Sequence, residues 1–398
     1  MRILHVIPYM HPRAGGPPVA VEKFIHESSR LGHVSEIVTT SLFCDGDTSA
    51  LLQRLNGFAT TTCLPQRGAG LLLSKTARQK IVERIQSAHI VHVHTLWNPI
   101  NTLVRRSCAS NDRPYVLMPH GMLDPYSLSM KRWRKSAYLW AIESRNLSAA
   151  QRMIYTTPEE AELATRQIAY LPKAAVVPLG GDAPAGGFED LAAQFLNNFP
   201  VARGRRQVLF LGRLDFKKGL DRIFAIIPSV LSAFPDLLFT IVGDGSPTVV
   251  RQLKNMAAAH GFEQNVLMTG MLNGALKWGA YACAELFLLP SRQENFAITV
   301  AEAMQMGLPV VISDRVNTWP YVKESRAGLV LVDNEIEGTL GNSLIMLLQN
   351  PCMAKNMGKR GQEFARTNLT WMRATACLLS CYDEVLTDWP EIRPLEQA

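Results

Sequence analysis

Short apolar segments, each followed by a polar loop and then a helical pattern, recur along the chain, most clearly within residues 284–312. Residues 284–290 (AELFLLP) form an apolar run whose length fits a buried parallel strand better than a helix. Residues 296–304 then place apolar side chains at helical spacing, Gly307 is a typical C-terminal cap, and residues 309–312 begin the next strand. This strand-helix-strand unit predicts a parallel sheet, and such sheets bind ligands at the carboxyl ends of their strands.

Two glutamates flank the loop that follows this predicted strand. Glu294 lies in the loop, and Glu302 lies about two helical turns further on. A carboxylate repels phosphate but accepts hydrogen bonds from vicinal hydroxyl groups, as an acidic residue does for the ribose in dinucleotide-binding folds. Taken alone, the pair is better explained by Glu294 as a helix cap and Glu302 as a solvated charge.

A basic loop follows a second apolar strand within residues 208–221 and contains Arg213 and Lys218. A helix N-terminus contributes only about 0.3–1 kcal/mol toward binding an anion, whereas each charge-assisted hydrogen bond adds roughly 1.5–3 kcal/mol. Arg213 offers a bidentate fork and Lys218 a point charge, whereas Lys217 fits a solvated face. Cations after one strand and carboxylates after another favour a ligand with both phosphate and hydroxyl groups.

Two loops in the N-terminal half supply further candidates. The first predicted strand, residues 2–8, precedes Gly15 and Gly16, and glycines at such a turn let backbone N–H groups approach a phosphate. His120 follows a predicted strand over residues 115–119 and can donate a hydrogen bond to a sugar hydroxyl or to a developing charge. The alternative for His120 is a side chain satisfied inside the domain.

His92 and His94 alternate along the apolar run 90–94, so their side chains lie on one face of a predicted strand. Two such side chains can begin a metal site. No further cluster of cysteine, histidine or carboxylate residues accompanies them in the sequence, so we predict no metal site. We expect His94 to line an acceptor-binding cleft.

These motifs together resemble the retaining glycosyltransferases of family 4, and the resemblance covers nearly the whole chain. It is carried by residues 212–219 (GRLDFKKG), residues 291–304 (SRQENFAITVAEAM), the Gly15-Gly16 loop and residues 120–125 (HGMLDP). It implies an α/β fold of two Rossmann-like domains facing across a cleft, the GT-B arrangement.

Glycine-rich residues 180–187 indicate the linker between these two domains. The expected boundaries are 1–182 together with 370–398 for the acceptor-side domain, and 183–369 for the nucleotide-sugar domain. The resemblance implies that the last helix, near residues 370–386, crosses back onto the first domain.

The resemblance also assigns roles by position. It implies that Arg213 and Lys218 bind the donor diphosphate, that Glu294 holds the transferred sugar, and that Glu302 binds the nucleotide ribose. The Gly15-Gly16 loop would face the diphosphate across the cleft, and His120 would contact the donor sugar near the reacting carbon.

His120 and Glu294 are therefore the catalytic candidates. Asn295 and Phe296, which follow Glu294, are expected to bind the donor. Family members often read E-G-F-G here, whereas this chain has Asn295 and Ala297 in place of the glycines. Ala297 adds a methyl group where glycine lets a ligand approach closely.

The expected reaction transfers a sugar from a UDP- or GDP-sugar to a hydroxyl of a glycan or lipid-linked acceptor, with retention at the anomeric carbon, in bacterial surface-polysaccharide synthesis. The nucleotide sugar is a substrate, and no cofactor is expected. A nucleotide-sugar epimerase or hydrolase, a glycan phosphorylase and a non-catalytic nucleotide-sugar-binding protein are the alternatives. A glycosidase would have no use for Arg213 and Lys218.

The net charge of +7 raises the question of polyanionic partners. Basic residues are spread along the chain without a recognised nucleic-acid module, so we expect no nucleic acid. Residues 131–140 (KRWRKSAYLW) combine cations with aromatic side chains, which suits an anionic membrane surface, and a solvated basic helix is an equal alternative.

The compartment predicted from the sequence is the cytoplasm, with peripheral contact at the inner face of the plasma membrane. The seven cysteines are scattered and include no C-x-x-C motif, which favours reduced thiols; Cys377 and Cys381 are expected to pack in a helix. The chain shows no signal-peptide pattern and no run of 18 apolar residues.

Overall fold

The computed structural model describes residues 1–11, 14–41, 52–65 and 74–389, which form two compact units. The first contains residues up to Leu179 together with the C-terminal helix from Trp371, and the second contains Gly180–Thr370. Each unit is a parallel sheet flanked by helices, so the predicted α/β fold of two Rossmann-like domains is confirmed.

The first unit is built on seven parallel strands. They are β1 (Arg2–Val6), β2 (Val34–Thr40), β3 (Ala59–Leu64), β4 (Ile90–His94), β5 (Tyr115–Met118), β6 (Arg152–Tyr155) and β7 (Ala174–Val176). The helices are α1 (Gly16–Arg30), α2 (Lys75–Ser87), α3 (Pro99–Ser110), α4 (Pro125–Ser129), α5 (Arg132–Tyr138), α6 (Ser144–Ser148), α7 (Pro158–Gln167) and the C-terminal helix (Trp371–Asp388). A π-helical turn, Leu139–Glu143, joins α5 to α6.

The central strand β4 is buried at every position because helices cover both faces of the sheet. Val91 and Val93 pack into an apolar core with α2 and α3. The opposite face of β4 meets the C-terminal helix, where His92 Nδ1 lies 2.6 Å from the Tyr382 hydroxyl. The predicted return of the last helix to the first unit is therefore confirmed.

The second unit is built on six parallel strands. They are β8 (Gln207–Leu211), β9 (Leu238–Val242), β10 (Val266–Gly270), β11 (Leu286–Leu289), β12 (Val310–Ser313) and β13 (Gly328–Leu331). The helices are α8 (Phe188–Asn198), α9 (Leu220–Ala233), α10 (Pro247–Ala259), α11 (Gly274–Cys283), α12 (Ile298–Gln305), α13 (Trp319–Ser325), α14 (Ile336–Gln349) and α15 (Pro351–Asn368). A 3-10 turn at Phe216–Lys218 precedes α9.

Both sheets share one pattern of strand order, β3-β2-β1-β4-β5-β6-β7 in the first unit and β10-β9-β8-β11-β12-β13 in the second. In such doubly wound sheets the strand order reverses between β1 and β4, and again between β8 and β11. Ligands bind outside the carboxyl ends of the strands at these points. The loops after β1, β4, β8 and β11 are therefore the places where each unit offers a binding site.

No helix within the described residues is both long enough and apolar enough to span a bilayer. Cys377 and Cys381 are free thiols of the C-terminal helix, which confirms the prediction that they pack rather than pair.

Candidate active site

Lys218 and Glu294 form an ion pair between the loops that follow β8 and β11. Ser291 also lies beside this carboxylate, with its hydroxyl 3.2 Å from Glu294 Oε1. The Glu294 backbone is fixed as well, because its N–H donates to Arg315 O at 2.9 Å and its carbonyl accepts from Asn317 N at 3.2 Å. The structure thus brings Lys218 and Glu294 into direct contact, although the sequence assigned the diphosphate to one and the sugar to the other.

Arg213 lies in the same loop after β8 and is exposed. Its backbone is positioned by hydrogen bonds on either side, from Gly212 N to Val242 O and from Leu214 N to Asp244 O. The adjoining turn needs glycine, since a Cβ at Gly243 would lie 1.9 Å from Gly212 O. Within the described part of the chain Arg213 forms no ion pair, so its guanidinium remains available to an anion.

A second ion pair braces the loop that carries Lys218. Both guanidinium Nη atoms of Arg292 donate to the Asp221 carboxylate at 2.7 Å, and Arg292 Nη1 also donates to Phe216 O at 2.8 Å. Burial alone would raise the pKa of Asp221, but the bonds from Arg292 hold it below its usual value. This brace holds the 3-10 turn against the Glu294 loop, where Gly219 is required because its Cβ would lie 2.1 Å from Pro290 O.

Glu302 is buried on α12 and has two partners on α11. Lys277 Nζ donates to one carboxylate oxygen at 2.7 Å, and the Tyr281 hydroxyl donates to the other at 3.0 Å. Burial and the neighbouring Glu302 raise the pKa of Tyr281 well above its usual value, so the phenol stays protonated. The sequence reasoning missed both partners. Their i, i+4 spacing places them on one helix face, but nothing local pointed to Glu302.

The residues after Glu294 expose backbone rather than apolar side chains. Phe296 is buried with its ring 6.5 Å from that of Tyr321, so it can offer a ligand only its backbone. Ala297 has φ +56°, a left-handed conformation that glycine adopts without strain. The chain therefore keeps the backbone path of a glycine at Ala297 although it has a methyl group there.

His120 lies in the turn after β5 with a strained backbone, at φ +52°. Gly121 follows at φ +76°, and its N–H donates to Glu160 Oε1 at 2.6 Å. The other oxygen of Glu160 accepts from the backbone N and the hydroxyl of Thr156, at 2.7 and 2.8 Å. Glu160 thus fixes the His120 turn to the loop after β6, a role that the sequence did not indicate.

Three further histidines lie fully buried behind His120: His5 on β1, and His92 and His94 on β4. Since His94 is fully buried, the expectation that it lines an acceptor cleft is wrong. His5 was missed because its position beside β4 depends on strand order, which places it opposite His92. Nitrogen atoms of the three buried rings lie within 4.8 Å of one another, a spacing that could hold a metal ion. The absence of a metal site stays a prediction.

Gly15 and Gly16 lie exposed at the N-terminus of α1. Gly15 has φ +82°, and an added Cβ at either position would meet nothing within 4 Å. Backbone conformation rather than lack of space therefore favours glycine at position 15. Pro17 and Pro18, the second and third residues of α1, have no N–H, so the backbone donors that an anion could meet here are mainly those of Gly15 and Gly16.

The basic-aromatic segment 131–140 presents two tryptophans to solvent, Trp133 with 72% and Trp140 with 85% of its surface exposed. Arg134 lies over the Trp133 ring at 5.1 Å. Tyr138 and Leu139, which the sequence grouped with them, are partly buried instead. The exposed part of the segment is therefore smaller than its sequence suggested.

Two family models match the chain. Residues 15–180 match the glycosyl transferase 4-like domain, and residues 194–364 match the glycosyl transferases group 1. Together these two matches account for most of the described residues of both units.

Curated relatives match parts of the chain. A phosphatidyl-myo-inositol mannosyltransferase of Mycobacterium leprae is 27% identical over 47% of this chain and 49% of its own length. A D-inositol 3-phosphate glycosyltransferase of Segniliparus rotundus is 29% identical over 61% of this chain and 54% of its own. A GDP-mannose-dependent alpha-mannosyltransferase of Mycolicibacterium smegmatis is 38% identical over 32% and 31%. The chain thus spans about half or less of the length of these relatives.

Solved structures show the same fold. HepE of Anabaena in complex with UDP and glucose aligns over 96% of this chain and all of its own, with a TM-score of 0.75 and 18% identity. A glycosyltransferase of Rickettsia africae aligns over 97% and 99%, with a TM-score of 0.78 and 16% identity.

Proposed function

Because the chain belongs to the group 1 glycosyltransferases of family 4, we propose that it transfers a sugar from a UDP- or GDP-sugar to a hydroxyl of a glycan or lipid-linked acceptor. We propose further that configuration at the anomeric carbon is retained and that the product enters a cell-surface polysaccharide. HepE binds UDP and glucose, and one mannosyltransferase relative depends on GDP-mannose, so both bases remain in the proposal.

The Lys218–Glu294 contact carries this proposal. In a nucleotide sugar, a diphosphate and a hydroxyl-bearing sugar are joined by a single bond. A cation for the phosphate and a carboxylate for the sugar hydroxyls must therefore lie side by side in its binding site. The ion pair provides that arrangement at the point where the strand order reverses, with the exposed Arg213 in the same loop. A site for phosphate alone would not gain from Glu294, and a site for sugar alone would not need Lys218.

The chemistry follows from these charges. As the bond to the sugar breaks, negative charge grows on the leaving diphosphate, and Arg213 and Lys218 stabilise it electrostatically. Once Lys218 engages phosphate, Glu294 can accept hydrogen bonds from the sugar. We assign no protein nucleophile, because the acceptor would attack from the face that the diphosphate leaves. Trapping a glycosyl-enzyme in a single turnover would contradict this assignment.

Glu302 fits the ribose. Lys277 and Tyr281 each occupy one lone pair of its carboxylate oxygens, and a further lone pair on each oxygen can accept from the 2′- and 3′-hydroxyls. The nucleotide sugar is a substrate in this scheme, and none of its steps requires a metal ion.

Thermal unfolding with a panel of UDP-, GDP-, ADP- and dTDP-sugars tests the donor site. A ligand at 100 times its dissociation constant should stabilise the protein by about 2.7 kcal/mol. We expect one nucleotide class to raise Tm in the native protein and to do so much less in Arg213→Ala and Glu302→Ala. Arg366→Ala, in which an exposed arginine of α15 is removed, is the matched control and should respond as the native protein does.

Donor turnover then separates the related activities. A transferase releases nucleotide only when an acceptor is present, whereas an epimerase or hydrolase consumes donor alone. Binding without turnover under either condition would favour a sensor. No response to any donor, with or without lipid vesicles, would contradict the donor site itself.

We also propose that Trp133, Trp140 and the cations of residues 131–135 contact an anionic membrane at the cytoplasmic face, where a lipid-linked acceptor would be anchored. Each nearby cation contributes about 1 kcal/mol and is screened by salt. Cosedimentation with phosphatidylglycerol vesicles should fall in a Trp133→Ala/Trp140→Ala variant and in high salt. Met372→Ala, which alters an exposed apolar side chain elsewhere in the first unit, should bind as the native protein does.

A further inference from the structure

Three of the four clustered histidines form a chain of hydrogen bonds. His5 Nδ1 lies 3.1 Å from His94 Nε2, and His94 Nδ1 lies 3.1 Å from His120 Nε2. His5 and His94 are fully buried, whereas His120 is partly exposed at the end of the chain. A buried row of imidazoles therefore ends at the histidine that the resemblance to family 4 assigns to the donor sugar.

All three rings are neutral at physiological pH. Burial lowers the pKa of His5 and of His120 to about 3 and that of His94 well below its usual value. A neutral imidazole has one N–H donor and one acceptor nitrogen. In each N–H···N bond, one ring must donate and the other must accept. Because His94 takes part in both bonds, it donates in one and accepts in the other, so both donors point toward the same end of the chain of histidines.

The buried end of the chain decides which direction is favoured. Within the described residues, His5 Nε2 is buried and has no hydrogen-bond partner. If His5 donates from Nδ1, its Nε2 carries no proton and has only an unused acceptor lone pair. If His5 accepts at Nδ1, the orphaned atom is an N–H, and buried unpaired N–H groups are rarer than under-used acceptors. The protons are therefore directed from His5 toward His94 and from His94 toward His120.

We propose that His94 is a positioning residue that donates its Nδ1–H to His120 Nε2 and so holds the His120 proton on Nδ1. His120 Nδ1 has no hydrogen-bond partner within the described part of the chain, and the ring is not fully buried. His120 then presents a fixed N–H donor, suited to a sugar hydroxyl or to an oxygen that gains negative charge. This inference rests on the proposed function for the identity of that ligand, but not for the tautomer.

The surroundings fix the backbone that carries the His120 ring. The Gly121 N–H bond to Glu160 fixes the backbone on one side of His120, and the left-handed φ of +52° restricts it further. His92 offers a matched comparison, because it is equally buried on the same face of β4 as His94. Its ring lies against that of His94, with centroids 3.8 Å apart, but its Nδ1 pairs with the Tyr382 hydroxyl and not with a histidine nitrogen.

Long-range proton–nitrogen NMR on the full chain, with its nine histidines labelled with ¹⁵N, tests the tautomer directly. The His120 signals are identified by their loss in His120→Asn. We expect the proton on Nδ1 in the native protein and in His92→Asn. His94→Leu removes the donor and should release His120 to the Nε2–H form or to a mixture. His94→Asn should restore the native pattern, because its amide N–H can take the place of Nδ1–H.

Two results would overturn the inference. One is a His120 proton on Nε2 in the native protein, which needs no variant to observe. The other is an unchanged His120 tautomer in His94→Leu, which would mean that His94 does not hold the His120 proton in place.

Kinetics adds a readout that depends on the proposed function. Loss of one aligned donor at a developing charge typically lowers kcat by 10²–10³-fold, so a variant in which only about 1–10% of molecules keep the tautomer should show a kcat lowered by roughly 10–100-fold. We expect that loss in His94→Leu with little change in donor KM, recovery in His94→Asn, and near-native kcat in His92→Asn. If the native protein transfers no sugar, the proposed function fails, while the NMR result still decides the tautomer.

Discussion

The two units place different kinds of polar group at the points where their strand order reverses. The first unit has a neutral row of histidines, buried and linked by N–H···N bonds. The second has two buried glutamates, each paired with a lysine that is partly open to solvent. Neutral groups can fix the direction of one hydrogen bond, whereas ion pairs can exchange partners with a charged ligand. The two units should therefore differ in their response to charge removal and to pH.

Removing Lys218 should have the largest effect. Lys218→Ala loses a charge-assisted bond of roughly 1.5–3 kcal/mol to the phosphate, which corresponds to about a 10–150-fold fall in kcat/KM for the donor. It also leaves Glu294 without its cation. Lys217→Ala, a change of the adjacent lysine, should stay within about twofold of the native value. Equal losses in both variants would mean that the loop, rather than the Lys218 charge, matters.

A carboxylate of the first unit sharpens the contrast, because neutral amides hold it instead of lysine. Glu143 is fully buried in the π-helical turn, and its oxygens accept from Asn101 and Asn146 at 3.2 Å each. Burial raises its pKa to about 7 despite these bonds. The folded state therefore keeps a proton that the unfolded state loses from about pH 4.5 upward, so stability falls as pH rises from there to about 7.

Glu143→Gln should remove this fall, since a glutamine stays neutral in both states. We expect the variant to be more stable than the native protein by about 3 kcal/mol at pH 8 and by little at pH 4.5. Urea unfolding at both pH values, followed by hydrogen exchange in α3 and α6, measures the difference in the first unit. The exposed Glu162→Gln should show no such dependence on pH. A constant difference across pH would mean that Glu143 ionises normally.

The strands and their polar ends could be read from the sequence because each is encoded locally. The apolar run of β4 predicted its bounds, and the loops after β8 and β11 were identified by their charges. Predictions were less accurate where a residue's role depends on a distant one. His5 meets His94 only because β1 lies beside β4, and Lys277 meets Glu302 only because α11 packs beside α12.

One boundary differs from what the sequence alone predicts, and the cause is local. Pro17 and Pro18 favour a first helix that begins after them, at Val19, but α1 begins at Gly16. Proline is tolerated in the first turn of a helix because its missing N–H would have no partner there. The prolines thus belong to the helix start rather than to the loop.

Acid should weaken the first unit through its histidines. The pKa of His5 is lowered to about 3 in the folded state, so the unfolded state gains a proton as pH falls below 6.5 while the folded state does not. The neutral ring therefore contributes its full stabilisation above pH 6.5, and this contribution is lost as the pH falls toward 3. At pH 5 the free energy of unfolding is already lower by about 2 kcal/mol. His5→Phe should lose less stability between pH 7.5 and pH 5 than the native protein.

Hydrogen exchange in β1 and β4 measures that loss where it arises. The strands β8 and β11, which contain no histidine, serve as the internal comparison in the same sample. Equal acid sensitivity of both sheets would contradict a cause confined to the histidine row.

The smallest effect is expected at Ala297, where the second unit accepts backbone strain next to its carboxylates. A left-handed conformation costs an ordinary residue roughly 1–2 kcal/mol, and glycine avoids that cost but loses about 0.5–1 kcal/mol through greater freedom in the unfolded chain. Ala297→Gly should thus stabilise the second unit by about 0.5–1 kcal/mol, a Tm increase of about 1–4 °C. Ala303→Gly, the same change inside α12, should destabilise it instead. If both variants lower Tm, the methyl group of Ala297 makes favourable contacts that exceed its backbone strain.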